Sequence, residues 1–262
     1  MSLTGKTPAS TYKDLLYVDN SNTGVDSTSR SVKSGNGTES SLLVSDRSLK
    51  VKSNTNNTTA LEVVNASDAE KFKVDTTNNQ VKALGYHVNT MYAYFNVSCS
   101  ISNELDANTH HPLPFAGNHH KGTIYDDFNF GTGTEPATSF TTAAASDTHS
   151  GLIVPVMWFI PDNISIDAVY SIEGADAATG DTTRMHLLSY DFTSGSTSAL
   201  TNGTLLAHNN DVTNAGSEQA YLSTWTIDSA SVAANKVVLA FFRSDSINSD
   251  YSINITVKYH LT

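Results

Sequence analysis

The chain has 262 residues, enough for one large β domain or two smaller ones with a real core. Only 16% of them are charged, against about a quarter in ordinary soluble proteins. Ser, Thr and Asn fill the gap, which favours strands and polar turns over helices because these side chains compete for backbone hydrogen bonds. The formal net charge of −11 is uneven: residues 1–88 hold ten of the 15 basic and nine of the 26 acidic residues, leaving five against seventeen for the rest. So acidic a C-terminal part repels phosphate backbones, and nucleic acid is not an expected partner.

In chain order, residues 1–37 are polar and irregular. Thr11-x-x-Asp14 precedes Leu15, Leu16 and Val18 as a capping box would, which predicts a short helix there. Tyr12, Leu15, Leu16 and Tyr17 are costly to leave bare in so polar a segment, so they are the expected docking residues of a peptide that orders against a larger assembly. The opening MSLTGKTPAS has no apolar stretch of signal-peptide length.

Residues 38–87 carry short apolar pairs at near-regular intervals, Leu49-x-Val51, Leu61-x-Val63, Phe72-x-Val74 and Val81-x-Ala83, separated by Asn/Thr/Asp/Ser turn clusters. Each pair predicts a strand with one apolar face. A single chain of this kind has too little apolar area to stand alone. Three copies around an axis would bury Leu49, Val51, Leu61, Val63, Phe72, Val74 and Val81 together as the core of a trimeric stem.

Residues 88–262 alternate as an antiparallel β-sandwich of jelly-roll-like type does. Met91, Ala93, Phe95, Val97, Cys99 and Ile101 fall on one face of a strand. Ile164, Ile166, Ala168, Tyr170 and Ile172 fall on one face of another, and Tyr251, Ile253, Ile255, Val257 and Tyr259 on one face of the last. Further strands are expected within Ile153–Ile160, Thr183–Tyr190, Tyr221–Ile227 and Val237–Arg243. The fold class is therefore all-β: a short β-repeat stem followed by a sandwich. The longest apolar run, Leu152–Ile160, contains Pro155 and is too short to span a bilayer, so no membrane partner is expected.

No phosphate-binding glycine loop, Cys-x-x-Cys pair, nucleophile elbow or His-Glu-x-x-His motif is present, and no catalytic residue or cofactor is assigned. The single cysteine, Cys99, reads as a small core residue. His110, His111, His119 and His120 crowd one short run, but adjacent side chains on an extended strand point apart. With Pro112, Pro114 and Gly117 nearby, a loop at the surface or a subunit contact is expected, and no metal. Asp126 and Asp127 read as a turn between aromatic anchors rather than as a glycosidase pair. Asp245, Asn248 and Asp250 lack regular calcium-loop spacing and also read as a turn.

The stretches LTGKTPASTYKDLLYVDNSNTGVDSTSRSVKSGNGTESSL and TALEVVNASDAEKFKVDTTNNQVKALG resemble the N-terminal segment and short β modules of virion structural proteins of marine tailed bacteriophages. FIPDNISIDAVYSIEGADAATGDTTRMHLLSYD and RSDSINSDYSINITVKYHL resemble the C-terminal β domain of that tail-fibre group. The resemblance implies a non-enzymatic particle component, usually a homotrimer, made in the host cytoplasm and residing in the virion. Its partners would be other phage structural proteins of tail, baseplate or capsid, and a host-surface glycan or protein. A capsid decoration or head-fibre protein is the alternative, and a polysaccharide-degrading enzyme a third.

Overall fold

A computed structural model describes residues 15–21, 23–97, 106–116, 129–141, 153–176, 179–196, 200–216, 218–246 and 250–262. Tyr12, Cys99, Ile101, His119, His120, Asp126, Asp127 and Asn248 lie outside them. The chain is all-β, every strand pairing is antiparallel, and it divides into two compact units, residues 1–88 and 89–262. No helix among the described residues is long and apolar enough to cross a membrane.

Unit 1 consists of two four-stranded meanders. The first joins β1 (Leu16–Val18), β2 (Arg30–Ser34), β3 (Glu39–Val44) and β4 (Leu49–Val51) in sequence order. The short helix expected at Leu15–Val18 is a strand: Leu16, Tyr17 and Val18 pair with Ser34, Lys33 and Val32. Two β-branched or aromatic residues in this run of three favour an extended chain once a partner strand is available, and that tertiary pairing outweighs a lone capping signature. Gly37, where the docking segment was expected to end, sits at φ 88° in the turn between β2 and β3. The second meander joins β5 (Leu61–Val64), β6 (Glu70–Asp75), β7 (Gln80–Ala83) and β8 (Tyr86–His87). Its turns are built by side chains: Asn65 Oδ1 accepts from the Ser67 and Ala69 amides, and Asp75 Oδ1 from those of Thr77 and Asn78.

Unit 2 is a β-sandwich. One sheet runs β16 (Gln219–Thr224), β12 (Ile164–Asp176), β20 (Asp250–Leu261), β9 (Thr90–Val97), with β18 (Ser231–Val232) beside β12. The other runs β10 (His111–Pro112), β19 (Lys236–Ser244), β13 (Thr182–Phe192), β14 (Leu200–His208), β17 (Thr226–Ile227). Here β11 (Trp158–Ile160) is added to β19 and β15 (Val212–Thr213) to β13. Between the sheets lies a core that includes Phe95, Ile166, Val169, Leu187, Val238, Phe242, Ile255 and Val257, with both tryptophans, Trp158 and Trp225, buried in it.

The β19 sequence KVVLAFFRS is apolar without alternation because both of its faces are covered. Val238, Ala240 and Phe242 enter the inter-sheet core. Val237, Leu239 and Phe241 join a second core with Phe130, Ile153, Val156, Leu188, Tyr190 and Leu200. Phe130 stacks on Phe140 with ring centres 4.5 Å apart and leans on Phe241 at 4.7 Å. Residues 129–141 and 153–157, between β9 and β11, thus lay a cover over the outside of this sheet.

Of the three alternating runs, β9 and β20 bury Ala93, Phe95, Val97, Tyr251, Ile253, Ile255 and Val257, while Met91 and Tyr259 at their ends are half-buried. The run in β12 does not hold to one face. A β-bulge between Ile166 and Ala168 shifts the pairing with β20. Ile164 and Ile166 are buried, but beyond the bulge Val169, Ser171 and Glu173 turn inward and Ala168, Tyr170 and Ile172 turn outward. One extra residue exchanges the two faces of a strand, and periodicity alone does not reveal it.

Candidate interaction surfaces and a buried histidine cluster

Every buried hydrophobic side chain among the described residues belongs to unit 2. Unit 1 sorts its residues by face yet fully buries none of its described apolar side chains. In the second meander, cross-strand pairing sets Leu61 beside Val74 and Val74 beside Val81. The next row sets Val63 beside Phe72, Phe72 beside Ala83 and Ala83 beside Tyr86. The opposite face pairs Glu62 with Lys73, Lys73 with Lys82 and Lys82 with His87, and a 2.6 Å ion pair joins Lys73 to Glu70. In the first meander, Leu42 stands opposite Val51 and Val44 opposite Leu49.

All seven residues expected to form the stem core therefore lie on strands and in apolar rows. In the single chain they stay uncovered: Leu49 is 69% exposed and Val63 52%, Val51 and Leu61 are exposed too, and Phe72, Val74 and Val81 are half-buried. Of the expected docking residues, Leu15 and Leu16 are exposed, the latter at 65%, and Tyr17 is half-buried within the β1–β2 pair.

The histidine run behaves differently from its expectation. His110 and His111 are fully buried, and His111 opens β10, opposite Phe242 of β19. A surface loop is overturned because the cover over the outer face of β19 and β13 passes through these residues, and proline and histidine are compatible with a two-residue edge strand. Alternation along β13 brings His186 to that outer face beside Leu188 and Tyr190, and the register sets His208 of β14 directly opposite His186. The His110 and His186 rings meet edge to face at 4.9 Å, and His186 and His208 lie 6.4 Å apart.

His110 Nε2 is 3.1 Å from the Gly133 carbonyl, so the ring donates there as the Nε2–H tautomer. Neither His186 nitrogen has a hydrogen-bond partner. Burial, opposed in part by the Gly133 contact, pushes His110 down to about 4, and burial pushes His186 down to about 3. Both rings are therefore neutral at pH 7.

His208 Nδ1 lies 2.7 Å from Asp228 Oδ2, an imidazole–carboxylate pair that in a hydrolase would orient a base toward a hydroxyl or thiol. Here the ring it stacks on is another imidazole. His110, His186 and His208 do not gather ligand atoms within 4.8 Å of one another. No signal in the sequence links positions 110, 186 and 208; the strand register alone assembles them.

In the inter-sheet core Glu173 is buried, with one oxygen accepting from Thr183 Oγ1 at 2.6 Å and the other unpartnered. Burial raises its carboxyl to about 7. Its neighbour on the same face, Ser171, accepts from the Trp225 indole N–H at 2.9 Å. A cleft of about 290 Å³ is lined by Met91, Trp158, Ile160, Asp162, Ile164, Tyr259 and Leu261. The Asp245 carboxylate accepts from the Thr182 amide at 2.8 Å at the start of β13, and Asp250 opens β20.

No protein-family model matches the chain, and no curated protein matches it. Among solved structures, it is similar to the crystal structure of an aminopeptidase from the marine sediment archaeon Thaumarchaeota archaeon, at 7% identity and a TM-score of 0.33. The match covers 73% of this chain and spans 40% of the length of that one.

Proposed function

We propose that this chain is a non-catalytic structural component of a bacteriophage particle: a homotrimeric tail fibre or appendage that docks by its N-terminal segment and presents the β-sandwich for host-surface binding. The observation that carries the reading is the uncovered apolar rows of the two meanders of unit 1. Two meanders expose Leu42, Leu49, Val51, Leu61 and Val63 on strands that bury no hydrophobic side chain of their own. Sheets with one apolar face are stable only when something covers it, and identical copies around an axis are the simplest cover. Leu15 and Leu16, bare at the start of β1, suit a segment that gains its burial from another particle protein at roughly 25 cal/mol per Å² of apolar area. The resemblance of several stretches to tail-fibre proteins of marine phages supports the same reading.

Light scattering on the purified chain tests the assembly: a mass about three times 28.1 kDa is expected, and a stable folded monomer at micromolar concentration contradicts it. Particles assembled with the Leu15→Ser/Leu16→Ser variant test the docking. Mass spectrometry is expected to find the variant largely missing from them while its folding is unchanged, whereas normal incorporation places attachment elsewhere in the chain.

A further inference from the structure

At one end of the sandwich the two sheets frame the cleft of about 290 Å³. The start of β9 gives it Met91, the end of β20 gives Tyr259 and Leu261, β11 gives Trp158, and the segment leading into β12 gives Asp162. The whole lining belongs to unit 2, so the cleft is independent of unit 1 and of the trimer reading above. Among the described residues of that lining Asp162 alone is charged, and it is exposed.

The walls are held in place from behind. Trp158 stacks on Phe115 with ring centres 5.8 Å apart and planes 11° apart, and it meets Tyr259 at 4.9 Å with planes 61° apart. Two rings fixed at such an angle form a π-rich corner that needs no further ordering to receive a ligand. The segment carrying Asp162 is pinned by the residue after it: Asn163 Oδ1 accepts from the Ala234 amide at 2.9 Å, and the Asn163 carbonyl accepts from the Thr262 amide at 3.0 Å. Nearby backbone acceptors are already engaged. The Ile160 carbonyl accepts from the Asn235 amide and the Leu261 carbonyl from the Asn89 side chain. Apart from one carboxylate, the cleft is therefore mostly hydrocarbon and aromatic ring.

We propose that this cleft is a binding site for a quaternary ammonium group, such as choline carries. Charge sets the sign of the ligand. An anion would approach Asp162 within a unit that holds seventeen acidic against five basic residues and is repelled, whereas a cation is attracted. Hydrogen bonding sets its type. A primary ammonium has three donors, and here one carboxylate would have to replace all the water it gives up. A sugar would leave most of its hydroxyls unpaired for the same reason. A trimethylammonium group has no N–H to satisfy. Its methyl shell packs on side chains such as Met91 and Leu261, and its charge is drawn to aromatic rings within about 6 Å. Asp162 supplies the countercharge.

Isothermal titration of the full chain with choline tests this, beside ethanolamine, a primary ammonium, and the uncharged tert-butyl isostere of choline. Choline is expected to bind about tenfold more tightly than either control. Asp162→Asn alters an exposed side chain and leaves the core intact. It is expected to weaken choline several-fold and to leave the isostere unchanged. Tyr259→Leu keeps an apolar side chain but removes the ring, and is expected to weaken choline by a similar factor. Co-sedimentation with phosphatidylcholine vesicles, and not with phosphatidylglycerol vesicles, assigns the group to a lipid headgroup; choline binding without it assigns the group to a soluble or polymer-borne ligand. Either result upholds the site. Absence of choline binding, equal affinity for the isostere, or an Asp162→Asn variant that binds choline as the wild type does overturns it. Light scattering on the same sample keeps the two readings apart: a monomer that binds choline contradicts the trimer alone, and a trimer that does not bind it contradicts this site alone.

Discussion

Both units are built of antiparallel strands joined by turns, yet among the described residues one has two hydrophobic cores and the other has none. In unit 2, β19 is covered on both sides and Phe241, Phe242 and Ile255 are fully buried. In unit 1, strands just as well paired leave Leu49, Leu61 and Val63 in water. Hydrogen bonding in a ladder fixes geometry in both, but only burial of apolar area yields net stability, because backbone groups lose water partners when they pair. On the proposed assembly, the difference means that unit 2 folds within one chain whereas unit 1 gains its cover from neighbouring copies.

The largest effects are expected where the comparison is broken directly. Ile255→Asp places an unpaired charge in the inter-sheet core and is expected to destabilise unit 2 by about 4 kcal/mol or more, read as a shift in its denaturant midpoint. Val63→Asp, the same chemistry in unit 1, is expected to leave that midpoint unchanged and to abolish the oligomer in light scattering. Equal losses of unit 2 stability in both variants would erase the distinction between the units.

Gly203→Ala comes next. A Cβ there would stand 2.7 Å from both the Thr138 Cα and the Tyr190 ring, where the cover meets β14, so a loss of about 1–3 kcal/mol is expected in the same assay.

Acid and base should separate the two buried titratable sites of unit 2. The unfolded chain protonates histidine at 6.5, whereas folded His110 and His186 wait until about 4 and about 3. Stability therefore falls as pH drops from 6.5, down to about 4 for His110 and about 3 for His186, at roughly 1.4 kcal/mol per pH unit for each group within its window. Glu173 has the opposite sign. Its folded value of about 7 lies above the unfolded 4.5, so stability is lost as pH rises from 4.5 through 7. His186→Leu is expected to flatten the acid limb, and Glu173→Gln to make unit 2 more stable than wild type at pH 8 by about 1–3 kcal/mol. Denaturation series at pH 4, 6.5 and 8 check both. The smallest effect is expected from Lys73→Ala, which removes the ion pair to Glu70 on the charged side of unit 1 and should leave every midpoint within error.

Much of the architecture was legible in the sequence because strand alternation reports burial whenever a strand is regular and one-sided, as in β9 and β20. Where β12 departs from this, a single bulged residue carries the cause, and nothing in ISIDAVYSIEG marks it. β19 did carry a readable signal, since an unbroken apolar run of strand length means two covered faces. The stem residues were legible as strand positions because their turn clusters are written in Asn, Asp and Thr. The helix expected at Leu15–Val18 failed because a local capping signature competes with a distant strand, β2, that the local sequence does not mention. The histidine cluster was beyond reach for a similar reason. His110 is conspicuous for its neighbour His111, yet its structural partners are His186 and His208, brought to it by strand register and by the cover over the second sheet.

Amide hydrogen exchange on the full chain, followed from high to low protein concentration, tests the central claim most directly. If unit 1 is stable only through neighbouring copies, the amides of β4 to β8 lose protection on dilution into the monomer while those at the centre of β13 and β19 keep theirs. Protection in β4 to β8 that persists unchanged in the monomer would contradict the account, because unit 1 would then hold its fold without any partner to cover its apolar rows.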